Sequence, residues 1–187
     1  MFNMNFSFSN GHLWFILAIQ LFSSCSHKYD SNILDLAFYQ WNQWPDEAAD
    51  WSREPLENPT EDLSQIAQNP PSCGWEELHR GNGRLLRIPA ALPGYKGVSW
   101  YHCRFTLPEL WNEQQIVFMF DSTGPQVEVY LNEALVGYQM GQNSTFHVDV
   151  TNVIYYTRDN HLAIRITDPD GTGGLGGLIV KSAPKPL

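Results

Sequence analysis

The sequence predicts an all-β sandwich or barrel. From Trp75 onward, short runs of period two are separated by turn residues, roughly seven or eight of them within about 105 residues, and no strand-helix alternation competes. The chain has 187 residues, 43% hydrophobic and 13% aromatic, enough for one core and short of the length at which chains usually split into two.

Leu13 to Phe22 is apolar apart from Gln20, too short to span a bilayer and of the length of a signal-peptide h-region. Residues 1–24 are therefore expected to be a signal peptide. Leu21-Phe22-Ser23-Ser24-Cys25 resembles the lipobox of bacterial lipoproteins. That likeness implies lipidation at Cys25 and an exported protein anchored to a membrane of the bacterial cell envelope; an ordinary signal peptide with an incidental cysteine is the alternative. Residues 25–72, rich in Asn, Asp, Glu and Pro, read as a tether and an irregular, partly helical arm. In it, Ser31 or Asn32 caps a predicted turn of helix over Ile33, Leu34, Leu36, Ala37 and Phe38. Trp41, Trp44 and Trp51 stand at uneven spacings between polar residues, so the arm is expected to lie on a folded body and bury at least one of these rings.

Residues 73–187 make up the predicted sandwich. Leu85 to Ile88 is a strand ended by Pro89. In Val98 to Leu107, Tyr101, Cys103 and Phe105 face one way while Trp100, His102 and Arg104 face the other, until Pro108 stops the strand. Ile116, Phe118 and Phe120 alternate with apolar Val117 and Met119, the pattern of a central strand covered on both faces. Val127, Val129 and Leu131 alternate with Glu128 and Tyr130, and a turn at Asn132-Glu133 leads into a hairpin partner, Leu135 to Tyr138. Phe146 to Thr151 and Leu162 to Thr167 read as half-buried strands. Leu178 to Val180 closes the series after the glycine run from Gly171 to Gly177, read as a close strand crossing.

The formal charge of -9, from 20 acidic and 11 basic residues, repels phosphate and argues against a nucleic-acid partner. Seven Trp and eight Tyr supply rings that fill cores or stack on sugars. With Cys25 lipidated, Cys73 and Cys103 remain, either as a disulfide or as two free thiols. No CxxC, His/Cys cluster or HExxH spacing occurs, so the sequence gives zinc no support and no cofactor is expected beyond a structural calcium. Asp168 and Asp170 beside Gly171 read as an Asx-type turn, with that calcium site as the sharper alternative.

Gly97-Val98-Ser99-Trp100-Tyr101, Phe105-Thr106-Leu107-Pro108 and Val127-Glu128-Val129-Tyr130-Leu131-Asn132 with Leu135-Val136-Gly137 resemble the sugar-binding jelly-roll domain of family 2 glycoside hydrolases. Leu162 to Asp168 with the following glycine run is similar to the same domain within sialate O-acetylesterases. The resemblance spans Trp75 to Val180 and implies a galactose-binding-like jelly-roll β-sandwich, an accessory module beside a hydrolase domain. It departs at the hairpin tip, where the family has Asn-Gly and this chain has Asn132-Glu133, which calls for another turn type or one strained residue.

No catalytic residues are assigned. Glu76 and Glu77 are adjacent, and in an extended segment they point to opposite faces and cannot flank one glycosidic bond. Ser99, Ser144 and Ser182 lie in no nucleophile-elbow context, and His102 and His147 read as surface imidazoles. The sugar-binding candidates are Trp100, His102 and Arg104, with Tyr130 and Arg165 on the same side: a ring to stack on and donors for vicinal hydroxyls. Packing of this face against the arm is the alternative. A loop-edge site shifts attention to Asp121, Tyr138 and Gln142. Three roles follow: a non-catalytic carbohydrate-binding or accessory module of glycan degradation, a fragment of a glycoside hydrolase or sialate O-acetylesterase, and a structural sandwich that docks a partner protein.

Overall fold

Alternation of apolar and polar side chains sets two faces per strand, and burial of one face of each sheet against the other makes the sandwich. The computed structural model describes residues 32–47, 63, 70–91, 93–121, 124–141 and 145–186. Among the described residues the strands are β1 (Ile33–Asp35), β2 (Trp41–Asp46), β3 (Arg84–Leu86), β4 (Ala90–Ala91), β5 (Gly97–Phe105), β6 (Gln115–Phe120), β7 (Gln126–Leu131), β8 (Ala134–Met140), β9 (Phe146–Asp149), β10 (Asn160–Asp168), β11 (Gly174–Leu175) and β12 (Leu178–Ala183), with one α-helix, α1 (Trp75–Arg80). A four-stranded sheet has the order β1-β12-β6-β9, a six-stranded sheet the order β3-β2-β5-β10-β7-β8, and β4 pairs with β11. All pairings are antiparallel. Among the described residues no helix is long and apolar enough to cross a membrane.

The core lies between the sheets. Ile116, Phe118 and Phe120 of β6 meet Tyr101, Cys103 and Phe105 of β5, Val127, Val129 and Leu131 of β7 and Leu162, Ile164 and Ile166 of β10. Phe105 and Phe118 touch edge to face with centroids 6.0 Å apart. The strand covered on both sides is β7, every residue of which is buried, whereas Val117 and Met119 of β6 stay half-exposed on the outer side. Burial on both faces thus belongs to β7 with β10 and β5 of the same sheet, which pack against the core on one face and a second cluster on the other.

The expected arm departs from its prediction. Ile33 to Asp35 pairs with β12 as a strand, and a single 3-10 turn, Leu36–Phe38, follows, capped by Asp35, whose Oδ1 accepts the Ala37 N–H at 2.8 Å. A three-residue window with β-branched Ile33 gains more from pairing than from one isolated helical turn. Trp41 is fully buried, and its Nε1 donates to the Leu36 carbonyl at 2.9 Å. The predicted Trp51, Gln142, Ser144, the signal segment and Cys25 lie outside the described residues. Strand β2 pairs with both β3 and β5, so the compact unit runs from Ser31 to Leu187 and residue 73 is no boundary within it. Helix α1 falls where the sequence predicted only strands. It has Glu76 and Glu77 in the first turn, His79 and Arg80 in the last, and Gly81 at a φ of 72° closing it, while Gly74 at the N-cap offers no side-chain cap. Glu76 and Glu77 therefore ride on a helix, both paired with Arg80.

The hairpin tip keeps its geometry at a cost: Asn132 and Glu133 both take positive φ, 52° and 73°. Cys73 and Cys103 are free thiols. Gly174 permits the predicted close crossing, since a Cβ there would stand 2.4 Å from the Ala90 carbonyl oxygen.

Candidate functional site

Cross-strand register carries the sugar-binding candidates across the outer face of the six-stranded sheet. Trp44, Trp100, Arg165, Glu128 and Tyr138 stand opposite one another in a row over β2, β5, β10, β7 and β8. The structure brings Trp100, Arg165 and Tyr138 together, but as interior. Trp100 is 0% exposed. Trp75 of α1 meets it edge-on at 5.7 Å and tilts over Tyr130 at 5.2 Å, while Trp100 Nε1 donates to Asp46 Oδ2 at 3.0 Å. Beside it, Arg165 donates to Glu128 Oε1 at 2.8 Å and the Tyr130 hydroxyl donates to Glu128 Oε2 at 2.7 Å. With Leu78, Val98 and Ala163, this face forms a small second core, so Trp100 and Arg165 offer no surface on which a ring could stack.

His102 is buried as well, which corrects the surface reading. It lies opposite Ala163 on β5 and diagonal to His161 on β10, and α1 lowers His79 onto the pair. His102 Nε2 and His161 Nδ1 are 3.1 Å apart. The ring centroids are 4.2 Å apart for His79 and His161, 5.3 Å for His79 and His102, and 5.4 Å for His102 and His161. Burial, then the neighbouring His161, pushes His79 down to about 4; burial, then His79, His161 and Arg104, pushes His102 down to about 3. His161 is lowered too, by burial first and Arg104 second. The trio is neutral at neutral pH. Sequence spacing hid it, since positions 79, 102 and 161 meet only through the β5–β10 register and the helix. Arg104, at the end of that row, is exposed and faces Asp159 at 3.6 Å.

Asp121 behaves differently. It is exposed at the end of β6, its N–H donating to the Gly177 carbonyl at 2.9 Å, and it borders two adjoining recesses at one edge of the sandwich. One, about 470 Å³, runs along Ala90, Ala91 and the backbone from Thr172 to Gly177. The other, about 390 Å³, has Met119 and Ile179 as apolar lining and Asp35 and His147 as polar groups. Both volumes fall in the range of small-molecule sites, and apolar lining with a few convergent polar groups suits an amphipathic ligand. Asp168 turns inward instead: its carboxylate accepts the backbone N–H groups of Asp170, Gly171 and Gly173, an Asx-type turn that shapes the glycine run. Asp170 is exposed.

The architecture is a two-layer antiparallel sandwich with recesses at its loop edge. Residues 86–170 match the model of the glycosyl hydrolases family 2 sugar binding domain. No curated protein matches the chain. Among solved structures, the chain is similar to Bacteroides uniformis beta-glucuronidase 2, bound covalently to cyclophellitol-6-carboxylate aziridine, at 18% identity and a TM-score of 0.57 over 81% of this chain and 18% of that one. A beta-glucuronidase from an uncultured Clostridium sp. matches at 18% identity and TM-score 0.57 over 82% and 29%. Faecalibacterium prausnitzii beta-glucuronidase matches at 15% and 0.57 over 82% and 32%. The chain thus spans less than a third of the length of each of these proteins, and the likeness is one of fold.

Proposed function

We propose that this chain is a non-catalytic carbohydrate-recognition module that works beside a glycan-degrading hydrolase. The observation that carries the reading is the pair of recesses meeting at Asp121 on the edge of a family 2 sugar-binding sandwich. An exposed carboxylate accepts hydrogen bonds from vicinal hydroxyls, backbone amides and carbonyls of the glycine run add further partners, and Met119 and Ile179 present the apolar patch a pyranose face needs. The sugar would enter here and not on the Trp100 face. Glycan-array binding that is lost in Asp121→Ala with the thermal transition unchanged is the expected result. Binding unaffected by Asp121→Ala but lost in Arg104→Ala would move the site, and no binding to any glycan would remove the reading.

A second reading, one domain of a longer hydrolase, rests on the small share of each beta-glucuronidase that the chain spans. An open reading frame for a catalytic domain fused or adjacent to this one would favour it. Export with a lipid on Cys25 completes the proposal; a Cys25→Ser chain that no longer incorporates labelled fatty acid or partitions to membranes is the expected outcome.

A further inference from the structure

We propose that His79, His102 and His161 form a binding site for a first-row transition-metal dication of the zinc class. One candidate donor nitrogen from each of the three residues falls within 4.8 Å of the others. Three imidazoles on one tetrahedral zinc, with Zn–N bonds of about 2.0–2.1 Å, hold their nitrogens about 3.3 Å apart and their ring centroids about 5 Å apart. The His102 to His161 nitrogen separation of 3.1 Å and the two centroid distances of 5.3 and 5.4 Å already have these values. Only the His79–His161 approach, at 4.2 Å, is tighter, and a small rotation of His79 on its short helix opens it.

The surroundings favour a cation that takes nitrogen ligands. Buried His79 Nε2 has no hydrogen-bond partner, and His79 and His102 line one recess of about 270 Å³. The nearby cations are themselves offset: Arg104 faces Asp159, and Arg80 pairs with Glu76 and Glu77. Glu133 Oε1, 3.9 Å from His79 Nδ1, stands beside the ring nitrogen opposite Nε2, where it can orient the imidazole. Three histidine ligands leave the fourth position of a tetrahedral ion to water or a further ligand. Imidazole donors suit zinc, copper and nickel and discriminate against calcium and magnesium, which seek oxygen.

The test uses the untagged full chain, stripped with a chelator and titrated with Co(II) and then Zn(II). One equivalent of Co(II) is expected to give a visible tetrahedral spectrum that Zn(II) abolishes, and Zn(II) to raise the melting temperature. His79→Ala and His161→Ala, both on partly exposed side chains, are expected to weaken binding by more than about tenfold while near-ultraviolet circular dichroism stays native, and His147→Ala to leave binding unchanged. Absence of saturable binding by the folded wild-type chain, or one-equivalent binding that survives in the His79→Ala/His161→Ala double variant, would overturn the proposal.

Discussion

Glu133 occupies a backbone conformation that costs an L-residue about 1–2 kcal/mol, and glycine carries no such penalty. Glu133→Gly in metal-free protein is therefore expected to raise unfolding free energy by about 1 kcal/mol in urea titrations; a destabilised variant would show that the Glu133 side chain outweighs its strain. The opposite sign holds for Glu128, fully buried and sharing its carboxylate between Arg165 and Tyr130. Glu128→Ala leaves a buried guanidinium unpaired and is expected to cost about 3–5 kcal/mol, read as a lower denaturation midpoint. The sequence told which residues share a face: Trp100, His102 and Arg165 alternate away from the main core as periodicity required. It could not tell that α1 covers that face, because a six-residue helix bearing Trp75 and Leu78 reads locally like the flank of a strand. His79 and His161 carry no signal in the sequence for a related reason, since a cluster assembled by register and a helix leaves no spacing signature.

Strands β5, β7 and β10 were legible because each keeps a strict period-two row of apolar residues facing the main core. Strand β2 was not. Its sequence, Trp-Asn-Gln-Trp-Pro-Asp, buries Asn42 and Gln43, whose side chain donates to the Tyr101 hydroxyl at 2.7 Å, and it contains a proline. That proline is tolerated because β3 pairs only with Trp41 to Gln43, so Pro45 has a partner strand on one side alone. Between β4 and β11 the constraint is the absence of a side chain. Gly174→Ala drives a methyl into the Ala90 carbonyl and is expected to part the two short strands, lowering glycan affinity by more than about tenfold while costing less than about 2 kcal/mol of global stability, since the pair sits at the edge of the fold. Equal binding by Gly174→Ala and wild type would place the ligand away from the glycine run.

The whole fold responds to acid through its three imidazoles. Their ordinary value is 6.5, and burial holds His102 near 3 and His79 near 4, so below pH 6.5 the unfolded chain takes up protons that the folded chain refuses. Stability is full above about pH 6.5 and falls as pH drops toward 3, at about 1.4 kcal/mol per unit of displaced titration. Urea midpoints of metal-free protein from pH 7 to 4 should show this slope, and His161→Asn should flatten it; an unchanged slope would assign the acid loss to carboxylates. Because β2 is built into the six-stranded sheet and β1 into the other, a chain starting at Cys73 is expected to lose cooperative thermal unfolding, whereas one starting at Ser31 keeps it. The pairing of β1 with β12 also sets an order of events. Strand β12 lies between β1 and β6, so Ile33 meets Lys181 only after nearly the entire chain exists. At ribosomal speed that interval is on the order of ten seconds. For that time the newborn chain carries open strand edges, and a holding chaperone has its best opportunity to engage them.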